Sequence, residues 1–307
     1  MESEAKNLVI VVGPTAVGKS DIAIRLAEHL KGEIINCDSI QVYRGFDIGT
    51  DKIPPENRAC IPHYLLDIVD PMFQFTAADF VKHALKAIEE IRKRGKLPII
   101  TGGTGLYLKA LLDGLFPEEK KGLLIRKKLE QEAQDKGVDY LRERLLEVDP
   151  DYGQKIGKKD KIRIIRALEV FLTTKRPLSQ HFMNTRSFVG DFNIIKIGLK
   201  LERSFLYKKI DDRVDRMFER GIVKEVERLL KQEVDETSPP FRALGYKQVL
   251  KHLKGEMTLE EVIEVTKKET RHYAKRQMTW FRKMEGIRWF SPDDFSSLVR
   301  FIYDHLS

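Results

Sequence analysis

The chain has 307 residues, 42% apolar and 33% charged, with a formal net charge of +8. That balance describes a globular chain with room for one large domain or two modest ones. The longest apolar runs are strand-sized, which excludes a membrane span. Its two cysteines, Cys37 and Cys60, form no C-x-x-C pair, which argues against a zinc site or a disulfide framework. The first residues are few and polar, unlike a secretory or transit peptide, so a reducing cytoplasm is the expected home. The positive charge allows a polyanionic partner without demanding one.

Residues 7–12, Asn-Leu-Val-Ile-Val-Val, predict a strand buried on both faces. The next eight, GPTAVGKS, fit G-x-x-x-x-G-K-[ST]. In such a loop Gly13 and Gly18 let the backbone curl, so that successive N–H groups across Thr15, Ala16 and Val17 point at phosphate oxygens. Lys19 adds a point charge, and Ser20 offers a hydroxyl to Mg²⁺. A helix over 21–31 aims its positive end at the same anion. A di- or triphosphate is expected here; the loop alone does not say which.

Gly32 ends that helix, and 33–37 predict a second strand running into Asp38-Ser39-Ile40-Gln41-Val42-Tyr43. Open α/β sheets bind ligands at this carboxyl edge. Asp38 could hold Mg²⁺, act as a base or cap a turn. Residues 45–63 read as a polar loop and 64–68 as a short apolar run. Thr76 is placed to cap a helix over 77–94. A buried strand over 97–101 ends in GGTGLY, residues 102–107, a second Gly-rich strand-to-helix turn. The alternation predicts a parallel sheet with helices on both faces. The later strand ends in Thr101-Gly102-Gly103-Thr104, without the acid that an ATP-hydrolysing P-loop enzyme uses to reach Mg²⁺. That departure argues against routine ATP hydrolysis.

From about Pro117 the chain becomes charged and helical, with helices over 123–135, 139–147 and 161–173 broken by Pro150 and by Gly153 and Gly157. An inserted all-helical domain over 117–189 is expected, within a core made of 1–116 and 190–307. Then follow a strand over 193–199, one long helix over 203–231 and a turn at Ser238-Pro239-Pro240. A helix opens at 243–248, and a long one is capped by Thr258 with Glu261 at capping-box spacing. A last strand over 287–290 and a closing helix over 293–306 complete the chain. Within the long helix, Arg271, Lys275 and Arg282 share a face. His272, Arg276 and Lys283 flank them, with Tyr273, Trp280 and Phe281 interleaved. That pattern suits phosphate contacts and base stacking. It suits equally an amphipathic helix with Trp280 and Phe281 in the core.

Several stretches together resemble the bacterial tRNA dimethylallyltransferases: GPTAVGKS, DSIQVY at 38–43, GGTGLY at 102–107, RALEV at 166–170, ALGYKQ at 243–248 and TRHYAKRQMTWFR at 270–282. The resemblance implies an α/β fold, a P-loop NTPase-like parallel sheet with the helical insertion. It implies transfer of a dimethylallyl group from dimethylallyl diphosphate to the exocyclic amine of the adenine just 3′ of the anticodon in tRNA. The loop at 13–20 would then hold the donor's diphosphate, with Mg²⁺ on Ser20. Asp38 would be the base, Thr104 would bond near acceptor and diphosphate, and Arg213 would lie near the leaving group. Ser39, Ile40, Gln41, Arg126 and the run Ile162, Arg163, Ile164, Ile165 and Arg166 fall in stretches that touch tRNA in the family. The basic helix would add Arg271, Lys275, Arg276 and Arg282. The chain lacks a C-terminal zinc-finger cysteine set, so it resembles the shorter bacterial form, expected to act as a monomer on an anticodon stem-loop. Two other readings stay open from the residues: prenylation of free adenine nucleotides, and an RNA-associated NTPase or kinase. The insertion and basic helix weigh against the first, and the missing acid against the second. A non-catalytic RNA-binding protein would leave two Gly-rich turns without a purpose.

Overall fold

The computed structural model describes residues 6–115 and 122–306. The first five residues and the expected domain boundary at 116/117 lie outside them. The chain divides into two compact units, Met1–Ala110 with Asp191–Ser307, and Leu111–Gly190.

The first unit is built on six strands: β1 (Asn7–Val12), β2 (Gly32–Cys37), β3 (His63–Tyr64), β4 (Leu97–Gly102), β5 (Asn193–Leu199) and β6 (Ile287–Phe290). Their order is β3-β2-β4-β1-β5-β6, and every pairing is parallel. Parallel strands need crossovers, and the helices supply them: α1 (Lys19–Leu30), α2 (Ala77–Lys93) and α3 (Gly105–Asp113). Side chains alternate across the sheet. Val9, Val11, Ile34, Ile99, Ile195 and Ile197 join one core with Ile22, Ala23 and Leu26 of α1. On α2, Phe80, Ala84, Ile88 and Ile91 are buried at helical spacing, and the helix packs on β2 and β4. Thr76 caps it as expected, and Asp79 completes a capping box at its start.

Register decides where the turns lie. Val12 of β1 and Cys37 of β2 both pair with Gly102 of β4, so the three strands end level at the same edge. The loops after them, beginning at Gly13, Asp38 and Gly103, are therefore neighbours. The expected apolar run over 64–68 is a strand only at His63–Tyr64, because Leu65 and Asp67 both take positive φ.

The second unit holds α4 (Gly122–Asp135), α5 (Val138–Val148), α6 (Pro150–Lys155), α7 (Lys161–Thr174) and α8 (Leu178–Met183). Its core gathers Leu129, Leu141, Leu145, Ile164, Ile165, Leu168 and Leu178. Pro150 does not simply break structure. It starts α6, where its missing N–H costs nothing, and Asp149 caps that helix by accepting from Tyr152 N–H at 3.1 Å.

Back in the first unit, the single helix expected over 203–231 is two: α9 (Arg203–Glu219) and α10 (Ile222–Lys231). Gly221, at φ +92°, turns the chain between them, a conformation that costs glycine little. There follow α11 (Tyr246–Leu253), α12 (Leu259–Phe281), capped by Thr258 and Glu261 as expected, and α13 (Phe295–Tyr303). Among the described residues no helix is long and apolar enough to cross a membrane.

Close packing at the strand ends yields a prediction. A Cβ on Gly102 would stand 2.0 Å from the Cys37 carbonyl oxygen, a backbone atom that cannot swing away. Gly102→Ala should destabilise the protein by about 3 kcal/mol or more, measured as a lower midpoint in denaturant.

Candidate active site

The phosphate loop is shaped by alternating backbone hands. Ala16 has φ +63°, and Gly18, the N-cap of α1, has φ +95°. Such a run turns consecutive N–H groups toward one concavity, and the start of α1 adds its dipole. The Val17 side chain is fully buried and anchors the loop in the core, leaving its backbone to face the concavity. Lys19 Nζ donates to the Pro14 carbonyl at 2.8 Å. Burial lowers its pKa to about 8, helped by the neighbouring Arg213 cation and only partly opposed by Asp38.

Asp38 caps its own turn. Its Oδ1 accepts from the backbone N–H of Ile40 at 2.8 Å and of Gln41 at 3.2 Å. Oδ2 takes no hydrogen bond from the described residues. The turn is tied to the next loop: Ser39 N–H donates to Thr104 Oγ1 at 3.1 Å, and Thr104 N–H donates to the Cys37 carbonyl at 3.2 Å. Asp38 and Thr104 are thus held in fixed relation by one backbone–backbone bond and one bond to the Thr104 hydroxyl.

Glycines of the second turn serve packing. A Cβ on Gly103 would meet Gln277 Nε2 at 2.2 Å. That close approach lets Gln277, buried in α12, donate to the Gly103 carbonyl at 3.0 Å while its Oε1 accepts from Thr15 N–H at 2.8 Å. One amide therefore bridges both Gly-rich loops.

Arg213 comes from α9. Its Nη1 donates to Thr15 Oγ1 at 2.6 Å, its Nη2 to the Thr50 carbonyl at 3.1 Å, and its Nε faces Asp51 at 3.4 Å. Lys209, Asp212, Arg216 and Arg220 lie on the same face of α9, and all line a cavity of about 880 Å³ with Thr15, Gly18, Lys19, Ser20 and Asp38. A second cavity of about 390 Å³ shares Thr15, Asp38, Thr50, Arg213 and Tyr273 with the first. Its walls are more apolar, with Ile40, Val214, Met217, Pro239 and Leu244, and it carries Arg242, Lys247 and Arg276. Tyr273 stands between them. Burial, and then the nearby Asp38, hold its phenol above its ordinary range and keep it a neutral donor.

A chamber for an anion thus opens beside a less polar chamber, with a carboxylate where they meet. The family model for IPP transferase matches residues 41–284. The chain belongs to the IPP transferase family. It is 46% identical to the tRNA dimethylallyltransferase of Acetivibrio thermocellus over 292 residues, 95% of this chain and 93% of that one. It is 47% identical to that of Geobacter sulfurreducens over 293 residues, 95% and 94% of the two chains. Among solved structures it resembles a tRNA isopentenylpyrophosphate transferase from Bacillus halodurans, with a TM-score of 0.72, 38% identity, and 98% and 97% of the chains covered. It also resembles a eukaryotic dimethylallyltransferase acting on tRNA, with a TM-score of 0.81, 30% identity, and 98% and 80% covered.

In this IPP transferase some expected contact residues are placed otherwise. Ile164 and Ile165 lie in the core of the helical unit and cannot present side chains to a ligand; their spacing on α7 turns them inward. Ile162, on the opposite side of that helix, is 71% exposed. Arg163 faces Asp160, and Arg166 donates to Glu169 at 2.7 Å. Arg126 pairs with Glu130 along α4. On α12, Arg271 is engaged with Asp211 at 2.5 Å, whereas Lys275, Arg276 and Arg282 are exposed. Phe281 is buried and Trp280 is 38% exposed, so the helix serves core and surface at once. The bridge by Gln277 and the Thr50 carbonyl had no mark in the sequence. The basic face of α9 did: positions 209, 213, 216 and 220 follow helical spacing.

The lowered pKa of Lys19 can be tested with sulfate, which does not titrate in this range. The ammonium form binds the anion, so sulfate affinity should fall severalfold from about pH 7 to about pH 9.5. Calorimetry on Lys19→Ala should show weak binding without that pH dependence.

Proposed function

We propose that the chain transfers a dimethylallyl group from dimethylallyl diphosphate to the exocyclic amine of the adenine 3′-adjacent to the anticodon in tRNA, releasing diphosphate. The observation that carries this is the junction of the two cavities at Asp38, Thr15 and Arg213. The polar chamber takes the diphosphate on the loop N–H groups, Lys19 and Arg213. The adenine, drawn out of its stack, enters the less polar chamber past Ile40 and Leu244. The allylic carbon then lies between them.

Attack by the amine on that carbon breaks the carbon–oxygen bond to diphosphate. An adenine amine is a weak nucleophile, so alignment and a base both matter. Asp38 Oδ2 accepts the amine proton while Oδ1 stays bonded to its own turn. Thr104 keeps that turn in place. Charge growing on the departing diphosphate meets donors already oriented for it, which is where preorganisation lowers a barrier.

Mg²⁺ fits this site in one manner. Among the described residues no three His, Cys, Asp or Glu side chains cluster to hold a metal. Mg²⁺ here would take most of its ligands from diphosphate and water, and Ser20 would be the protein residue that holds it. When bound it would neutralise charge on the diphosphate. The helical unit at 111–190 would meet the stem-loop through Arg126, Ile162, Arg163 and Arg166. The core would do so through Ser39, Ile40, Gln41, Lys275, Arg276 and Arg282.

Incubating the protein with dimethylallyl diphosphate and an anticodon stem-loop, with AMP as the competing acceptor, tests the activity by mass spectrometry of the product. Transfer to AMP alone, or ATP turnover without transfer, would reject it. Asp38→Ala should lower the transfer rate about 10²–10⁴-fold with donor affinity retained; full activity would sink the base assignment. Replacing Lys275, Arg276 and Arg282 together by Ala should reduce the slope of log affinity against log salt by roughly 2, read from stem-loop binding titrations. An unchanged slope would remove these side chains from the interface.

A further inference from the structure

Of the buried carboxylates that have no role in the chemistry just described, Glu225 is bonded to the backbone of a segment that leads into the site. Glu225 of α10 is 5% exposed and makes no ion pair with a described residue. Its Oε2 accepts from the backbone N–H groups of Asp47 at 3.1 Å and Ile48 at 2.8 Å. Its Oε1 accepts from Gly49 N–H at 3.4 Å and from the Tyr246 hydroxyl at 2.6 Å. Tyr246, fully buried, also accepts from Gly49 N–H at 3.2 Å. Three consecutive amides thus converge on one carboxylate, a protein-built anion nest filled by the protein's own side chain. Gly49 is required there, since a Cβ would stand 2.5 Å from the Tyr246 ring.

The clamped segment continues directly into the active site. The next carbonyl, that of Thr50, is the shared acceptor of Arg213 Nη2 at 3.1 Å and Gln41 Nε2 at 3.0 Å. Arg213 in turn reaches Thr15 of the phosphate loop. From the other side, buried Lys52 grips the same segment through the Tyr43 carbonyl at 2.9 Å and Asp47 at 2.7 Å.

We infer that Glu225 and Tyr246 are positioning residues for the leaving group, acting through the Thr50 carbonyl to aim the Arg213 guanidinium at the diphosphate. A carboxylate suits this position because it only accepts, and four donors converge on it. An amide in its place would turn an N–H toward another N–H, releasing the segment and with it the carbonyl that orients Arg213. Tyr246 completes the clamp by donating to the carboxylate and accepting from Gly49. The two residues touch no ligand; their effect is on where a catalytic cation sits.

This inference rests on the transfer reaction proposed above, and a double-mutant cycle separates the two. The full chain is compared as wild type, Tyr246→Phe, Glu225→Gln, Arg213→Ala, and each of the first two changes combined with Arg213→Ala. The measurements are single-turnover transfer and, independently of any chemistry, affinity for inorganic diphosphate. Tyr246→Phe and Glu225→Gln should each slow transfer about 10–100-fold and weaken diphosphate binding severalfold. In the Arg213→Ala background the same changes should add less than about twofold. Tyr246→Phe removes one oxygen and keeps the ring, so it carries the result if Glu225→Gln does not fold. Wild-type rates in Tyr246→Phe, or losses that multiply in full with that of Arg213→Ala, would overturn the positioning role. Diphosphate binding that follows the predicted cycle in a protein without transfer would uphold the clamp and reject the activity.

Discussion

The site depends on the near-contact of two backbones where β2 and β4 end. At Gly102 the chains lie so close that no side chain fits against the Cys37 carbonyl. That proximity lets the Thr104 amide reach the same carbonyl and its hydroxyl receive Ser39. Asp38, between Cys37 and Ser39, inherits its position from bonds on either side. Its carboxylate is placed by hydrogen bonds to the backbone of its own turn rather than by side-chain packing.

Electrostatics then sharpens the pocket. Lys19 and Arg213 face one concavity, and their repulsion, added to burial, pulls the Lys19 pKa down to about 8. Two cations held this close repel, and an anion between them relieves the repulsion. Arg213 is fixed by Thr15, Thr50 and Asp51, and Thr15 is fixed by Gln277. The geometry of these cations is thus set by the protein itself, which is the condition for electrostatic preorganisation.

Glycine serves different ends in the two conspicuous turns. Gly18 takes a left-handed conformation that opens α1 toward an anion. Gly102 and Gly103 instead make room for β2 and for Gln277. Similar strings of glycine are therefore one cradle and one packing joint, and only the cradle is local enough to read without the fold.

What the sequence determined alone was local. The phosphate loop, the caps at Thr76 and Thr258, the alternation of strands and helices and the polar turn at Asp38 are set by residues within a few positions of one another. Their short-range hydrogen bonding and periodicity can be read without the rest of the chain. The break at Gly221 was also written locally, but the apolar stripe on either side masked it. Tertiary structure decided the rest. Which side of α7 faces inward put Ile164 and Ile165 in the core, and the pairing of Arg271 with Asp211 drew one cation out of the basic face. The bridge of Gln277 to Thr15, 262 residues away, and the hold of Glu225 on Gly49 join groups distant in sequence. No spacing rule reports such pairs, because the parallel sheet and its crossovers bring them together only after folding.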